Sequence, residues 1–557
     1  MKVYEAIAQA LKAEGATEMF GLMGDGNMSL WGALGRDADI TLTSARHEAA
    51  AVAMADGYSR TTGKVGVAMV TCGPGLTQCG TSLVVAARNR SQLVLVIGEI
   101  PTTQRFHVQT LDQRRWVEAN EAIFQTITSI DNMAEEIAEA FYAARVQRRP
   151  VVLNLPMDLQ EKSFDWDFEY RPSFDFLPPK LDEPNPHGLA QVADALAAAE
   201  RPVIIAGKGA RFAGAKGAIL ELAERTGALL ATSLQGKGFF AGEEFDVGIS
   251  GAFASRATEH LLSEADFILG VGAEVGFYTS EGGLMFPSAQ IARIDLKPAP
   301  ETIGVLPGLH VQGDALKAVV ALNALLAQRG VRNGGFRTAE TRALLAAPPH
   351  PFDRPNDGLD PRLLATTLGQ AIPPGAVVTC GVGHFFSFPA MYTALPEGAE
   401  MQFSYQFGAV GQSLPLSIGI SVGNPGRPHI FIEGDGSLMM NMQELETINR
   451  YKLPIVVLVW NDGGFGAEVH KLKAKGFEPA LAQWGSPDFV AIAKGFGGDG
   501  IRLAREADLP AAVAAGLQAG GLFVIDARVS PSTMSDPYAK VHFGLENRAP
   551  LLRAPAQ

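Results

Sequence analysis

Cysteine, net positive charge and long apolar runs are all scarce in this chain, and each scarcity excludes a class of function. Only Cys72, Cys79 and Cys380 occur in 557 residues. Their spacing matches neither a metal-ligand pattern nor an even disulfide framework, so a reducing, cytoplasmic setting is expected. Lysine and arginine number 46 against 59 acidic residues, a formal net charge of -13. A sequence-independent grip on nucleic acid comes mainly from basic side chains on phosphates, so DNA and RNA are not expected partners. The most apolar runs, "SQLVLVIGEI" and "LPIVVLVW", have the length of buried strands and fall short of the roughly 20 residues that a membrane helix needs. No membrane association is expected. The amino terminus mixes charges into an apolar helical period and reads as the first helix of a domain, not as a secretion signal.

What the chain does have is core material and turns: 47% hydrophobic residues, 61 glycines and 34 prolines. Its length predicts three or four units at roughly 150 residues each. Short β-branched runs alternate with Ala-rich amphipathic segments, the pattern of parallel sheets with helices on both faces. Residues 163–187 and 347–361 interrupt it with Pro and Asp and read as linkers. The prediction is an α/β chain of three doubly wound parallel-sheet domains, at 1–165, 188–345 and 360–557. The device of a buried strand closed by a glycine turn recurs in "KVGVAMVTCGPGLTQ", "RPVIIAGKGA", "ADFILGVGAEV" and "HIFIEGDGS". Ligands in such sheets sit at the carboxyl ends of strands, which makes these turns the candidate sites. Gly207 and Gly209 in the second of them form a lone GxG, weak support for a nucleotide.

The stretch "GDGSLMMNMQELETINRYKLPIVVLVWNDGGFG" places Asp435 and Asp462 on two glycine turns, with a helix-like segment and an apolar strand between them. Mg²⁺ takes six hard oxygens, commonly one or two carboxylates, waters and a substrate's phosphates. The two aspartates could supply the carboxylates, and the glycines would let backbone approach a phosphate. A helix starting near Ser437 would aim free amides at the anion. The predicted ligand is a metal-bound diphosphate. Taken singly, each turn also reads as an ordinary Asp–Gly turn.

The same stretch resembles the cofactor signature of thiamine diphosphate (ThDP) enzymes, GDG followed about two dozen residues later by an Asn pair. The resemblance implies Mg²⁺ ligation by Asp435, Asp462 and the Gly464 carbonyl, with Gly434, Gly436, Ser437 and Phe465 around the cofactor. Here the closing pair is Asn461 and Asp462, a departure that adds negative charge beside a diphosphate. "SARHEAAAVAMADGYSRTTGKVGVAMVTCGPG" is similar to the pyrimidine-binding domain of acetolactate synthases and related 2-oxo acid decarboxylases, with Glu48 at the cofactor-activating position. "FGAVGQSLPLSIG" resembles the segment that holds the aminopyrimidine, through the Gly408 carbonyl and the Val410 side chain. Most relatives carry a larger Leu, Met or Ile at that wedge. Gly381, Gly383 and His384 in "GVGHFF" fall where the family touches the diphosphate. The implied domains are pyrimidine-binding, central Rossmann-like and diphosphate-binding.

Substrate residues follow from the same resemblance. Asp25 and Glu468 match the two carboxylates that pyruvate-decarboxylase-like enzymes set around the reactive carbon, while Val108 and Gln109 replace their paired histidines. Gln109 is similar to a glutamine of acetolactate synthases. "VGAEVGFYT" has no arginine of the kind that those synthases use, which argues against FAD. His47, His107 and His470 read as structural, and Cys72 as a small buried hydrophobe. The implied protein is a homodimer or homotetramer, with Glu48 of one chain meeting the metal turn of another, acting on a 2-oxo acid or aldehyde. Two alternatives stand beside decarboxylation or carboligation. One is a 2-hydroxyacyl-CoA lyase, its nucleotide held by the middle domain and by Lys540, Arg548 and Arg553 of the carboxy terminus. The other is an inactive ThDP-binding subunit.

Overall fold

The computed structural model describes residues 1–104, 106–178, 183–298, 307–347 and 353–543. Three six-stranded sheets follow one another along the chain. The first holds β1 (Glu18–Gly21), β2 (Thr41–Ser44), β3 (Gly66–Val70), β4 (Leu93–Glu99), β5 (Ile123–Thr126) and β6 (Pro150–Pro156). The second holds β7 (Pro202–Ala206), β8 (Leu229–Thr232), β9 (Asp246–Ile249), β10 (Phe267–Val271), β11 (Gln290–Asp295) and β12 (Leu309–Gln312). The third holds β13 (Val377–Cys380), β14 (Glu400–Phe403), β15 (His429–Gly434), β16 (Ile455–Asn461), β17 (Asp499–Arg502) and β18 (Phe523–Arg528).

Neighbouring strands pair in parallel, as between β15 and β16 or β3 and β4. The strand runs explain it, because every residue of β3, β15 and β16 is buried and only a sheet covered by helices on both faces hides a continuous apolar strand. The predicted α/β architecture of three parallel sheets is observed. The first sheet runs β2-β1-β3-β4-β6-β5 and the third β14-β13-β15-β16-β18-β17, one topology used twice. The second sheet has the other doubly wound order, β9-β8-β7-β10-β11-β12.

The first and third sheets share a core in which Phe20, Val70 and Ile97 lie in one cluster with Ile418, Phe431 and Val457. Two helices make the junction, α1 (Glu48–Thr62) and α2 (Ser413–Val422). Their backbones touch where they cross. A Cβ on Gly57 would fall 2.1 Å from the Leu416 carbonyl oxygen, and one on Gly419 1.8 Å from that of Met54. Arg60 braces the crossing, donating to Asp56 at 2.9 and 2.5 Å and to Gln406 at 2.9 Å. Glu48 opens α1, and the loop before it is tied to the third unit. The Ser44 N–H donates to the Tyr451 hydroxyl (2.8 Å), and the Arg46 N–H to Glu444 (2.9 Å).

The segment after β6 is strapped to the first unit. The Tyr170 hydroxyl and the Ser173 N–H each donate to Glu14 at 2.6 Å. In the second unit, packing accounts for the lone GxG. A Cβ on Gly207 would lie 2.3 Å from the Gly272 carbonyl, because the turns after β7 and β10 are in contact. Among the described residues no helix is long and apolar enough to cross a membrane, and all three cysteines are buried and free.

Candidate active site

At the third sheet's carboxyl edge, Asp435 opens the helix α3 (Asp435–Asn441), with Gly434 as its extended N-cap at φ -79°, ψ 151°. The helix therefore begins two residues before the expected start near Ser437. Asp435 is 2% exposed, and its Oδ2 has no hydrogen-bond partner among the described residues. Asp462 leaves the end of the neighbouring strand β16. Burial, and then the charge of Asp462, push the Asp435 carboxyl well up from its ordinary range. Burial also raises Asp462, against the pull of the Gly464 amide. Two acids so placed are costly without a cation. No group of three or more His, Cys, Asp or Glu side chains is gathered as a metal cage among the described residues, so further oxygens have to come from backbone and ligand.

The walls of this edge are close. A Cβ on Gly436 would lie 2.8 Å from both Phe465 and Trp484, whose rings meet at 4.6 Å, and one on Gly466 would lie 2.3 Å from Asp462 Oδ2. Beyond Gly381 and Gly383, His384 is buried against His470, with ring centroids 4.6 Å apart. Its Nε2 accepts the Ser535 N–H at 3.1 Å. Burial, then His470, push its pKa down to about 3, so the neutral ring carries its proton on Nδ1. The loop with Gly408 (φ 65°) and Val410 leads to Gly411, whose N–H donates to Ser437 Oγ (2.9 Å) and whose carbonyl accepts from Asn441 (2.5 Å). Val410 itself stays 37% exposed.

At the first sheet's carboxyl edge, Asp25, Glu48 and Gln109 gather round one turn, residues 71–75. The Gly26 N–H beside Asp25 donates to Thr71 Oγ1 at 3.1 Å. The Cys72 thiol donates to Gln109 Oε1 at 3.2 Å, and a Cβ on Gly73 would lie 2.5 Å from the Gln109 carbonyl. A Cβ on Gly75 would lie 3.8 Å from Glu48 Oε1. Asp25 is exposed and Glu48 half-buried. Glu468 is elsewhere, on α4 (Gly466–Ala474), with its carboxylate 3.6 Å from Lys471. The fold thus makes two half-sites. Among the described residues no hydrogen bond or ion pair links Asp25, Glu48 or Gln109 to Asp435, Asp462 or Glu468.

Three family models match the chain in order: thiamine pyrophosphate enzyme N-terminal TPP binding domain over residues 1–116, central domain over 189–322, and C-terminal TPP binding domain over 381–527. The chain belongs to the thiamine pyrophosphate enzyme family. Thiamine pyrophosphate is ThDP, and this is an acetolactate synthase-like, ThDP-dependent enzyme. It is 28% identical to the probable acetolactate synthase large subunit of Methanocaldococcus jannaschii, over 96% of this chain and 92% of that one. It is 26% identical to the acetolactate synthase large subunit of Haemophilus influenzae (91% and 90%). With acetolactate synthase 2 of Nicotiana tabacum the identity is 27% (94% and 81%).

The residues present fit the cofactor. A buried, unpartnered Asp435 oxygen suits a metal-bound diphosphate, and the glycine floor leaves room where a side chain would collide. Sequence reading missed Trp484, Asn441 and Gly411 as parts of this cradle, since only folding brings them to it. It also passed over Glu433, although a charged residue inside the apolar run "HIFIEG" was a visible signal.

Proposed function

We propose that the enzyme decarboxylates a 2-oxo acid and passes the acyl unit to a proton or to a second carbonyl compound, with Mg²⁺ and ThDP bound between the two kinds of sheet edge. The observation that carries this reading is the pair of carboxylates, buried Asp435 and half-buried Asp462, at the ends of adjacent strands. ThDP, when bound, would supply a nucleophilic carbon for chemistry at a carbonyl beside a carboxylate. Asp435, Asp462 and the Gly464 carbonyl hold Mg²⁺, and the turns at Gly381, Gly383, His384, Gly434, Gly436, Ser437 and Phe465 surround the diphosphate. The Gly408 carbonyl and Val410 hold the pyrimidine. Glu48 exchanges a proton with the pyrimidine nitrogen, for which a half-buried carboxylate is suited. Asp25 and Glu468 move protons at the reacting carbon, and the Gln109 amide, its oxygen held by Cys72, turns its N–H donors to the substrate.

A homodimer or homotetramer would unite the half-sites. In support, apolar Val410 (37%), Met440 (49%), Phe106 (84%) and Val108 (87%) are left exposed near the two edges. Mixing inactive Glu48→Gln chains with inactive Asp435→Asn chains should then restore part of the activity. No flavin is included. In the turn after β10, where the synthases use an arginine, Glu274 stands and pairs with Lys297 at 3.6 Å. The CoA-lyase reading loses one of its basic residues, since Lys540 forms an ion pair with Glu259 of the second unit; Arg548 and Arg553 lie outside the described residues.

The test is mass-spectrometric product analysis of purified protein with ThDP, with and without Mg²⁺, against 2-oxo acids, aldehydes and 2-hydroxyacyl-CoAs. An aldehyde or hydroxyketone formed with loss of CO₂, abolished by chelation and restored by Mg²⁺, is the expected result. Formyl-CoA release, or no product from any 2-oxo acid with cofactor bound, would overturn it.

A further inference from the structure

Behind the first half-site lies one buried amide, that of Gln113, which is 3% exposed. Gln113 opens the short helix Gln113–Ala119, just past Gln109 in the chain. Its Oε1 accepts the Gly73 N–H at 2.9 Å. A backbone N–H can only donate, so the amide has one orientation and Nε2 faces the other way. There Nε2 donates towards the Gly98 carbonyl (3.1 Å), Glu99 Oε2 (2.9 Å) and Asn154 Oδ1 (2.9 Å). Asn154, also 3% exposed, donates to the same Glu99 oxygen at 3.3 Å. One side chain thus joins the turn after β3 to the end of β4 and to β6. An apolar residue would fill the space but leave the Gly73 N–H and these acceptors without their partner.

The joined points carry the half-site. Gly73 belongs to the 71–75 turn, whose Cys72 thiol holds Gln109 Oε1 and whose Gly75 faces Glu48. Because a Cβ on Gly73 would meet the Gln109 carbonyl, turn and loop are in contact and cannot shift independently. Gly98 packs on Gly26, next to Asp25: a Cβ on Gly98 would fall 2.6 Å from the Gly26 Cα.

We propose that Gln113 is a positioning residue for the reaction: by pinning the 71–75 turn to the ends of β4 and β6, it sets Gln109, Glu48 and Asp25 relative to one another. The inference rests on the ThDP reading above and adds to it a residue that acts through Gly73 and Gly98.

The experiment compares full-length wild type with Gln113→Glu, Glu99→Gln, the Gln113→Glu/Glu99→Gln double variant and Gln113→Leu, all with ThDP and Mg²⁺. Gln113→Glu keeps an acceptor for Gly73 but sets a carboxylate against Glu99, and adding Glu99→Gln returns a donor to that contact. One readout is kcat and KM for a 2-oxo acid, beside ThDP affinity. The other needs no turnover: the rate at which iodoacetamide alkylates buried Cys72, followed by peptide mass spectrometry, with buried Cys380 of the third sheet reporting global opening. Gln113→Glu should lower kcat/KM roughly 10- to 100-fold, with ThDP affinity within about threefold of wild type. It should speed Cys72 alkylation about tenfold while Cys380 keeps its wild-type rate. The double variant should recover most of both effects, because the two side chains act through one contact. Gln113→Leu removes the contacts without adding charge; it should act in the same direction, and it replaces the glutamate variant should that not fold. Wild-type alkylation and kcat/KM in these variants, Cys380 alkylation rising in step with Cys72, or a double variant no better than Gln113→Glu would each overturn the proposal. Wild type that converts no 2-oxo acid would sink the functional reading and this inference together. Wild-type turnover with faster Cys72 alkylation but undiminished kcat/KM in the variants would sink this inference alone.

Discussion

The first and third sheets repeat one strand order, yet their carboxyl edges treat acids in opposite ways. Round the turn after β3, Asp25 is exposed and Glu48 half-buried. At the end of β15, Glu433 and Asp435 are at most 2% exposed, and burial drives both upward. Topology therefore decides where a ligand can sit, and burial decides what a carboxylate does there. An acid within reach of water can exchange protons, whereas a dry acid beside a second one calls for a cation.

The sharpest way to break this contrast is on the dry edge. Asp435→Asn should lower turnover by roughly a thousandfold or more through loss of metal, while the cofactor-free protein melts at the same temperature or higher because a buried acid beside a second acid is gone. Calorimetry with and without Mg²⁺–ThDP checks both halves, and a cofactor-free protein that becomes less stable would contradict the assignment. On the wet edge, Glu48→Gln should cost about 10²- to 10⁴-fold in kcat with ThDP still bound. Steady-state rates beside a binding titration decide it; lost binding with a normal rate per bound cofactor would point to a structural role instead.

Smaller effects test what joins the two halves. Gly419→Ala would drive a Cβ against the Met54 carbonyl at the α1–α2 crossing, costing about 3 kcal/mol, measured by denaturant unfolding. A neutral result would mean that the crossing is not tight. His429 bonds Thr379 (2.8 Å) and Ser417 of α2 (3.2 Å), and burial, then Arg427, lower its pKa to about 3. Between that value and the ordinary 6.5 the unfolded chain binds the extra proton, so His429 should contribute a loss of about 1.4 kcal/mol per unit as pH falls below 6.5, beside a similar contribution from His384. His429→Asn should reduce the pH dependence of the melting temperature, and an unchanged slope would remove His429 as a contributor.

Much of the α/β plan could be read from the chain, because strands covered on both faces must be continuously apolar and turns between them demand Gly and Pro. The three-sheet count and the two acidic turns are local signals of this kind, whereas Glu48 was legible only through the family resemblance. The exact helix start at Asp435 was not, since Gly434 serves as the N-cap only in the fold. Nor was the meaning of Gly207 and Gly209, which is contact between two turns about sixty residues apart.

By itself, then, the sequence determined the kind of sheet, the turns that could take a ligand and the acids available to them. Those properties depend on neighbours along the chain, on period and on turn chemistry. Only the tertiary structure decided that Asp435 is dry and Glu48 is not, that Ser535 fixes the proton on His384, and that the Glu433 carboxyl lies against Gly381. Burial and hydrogen-bond direction are set by groups far away in sequence, and they come into being only when the sheets, helices and loops pack.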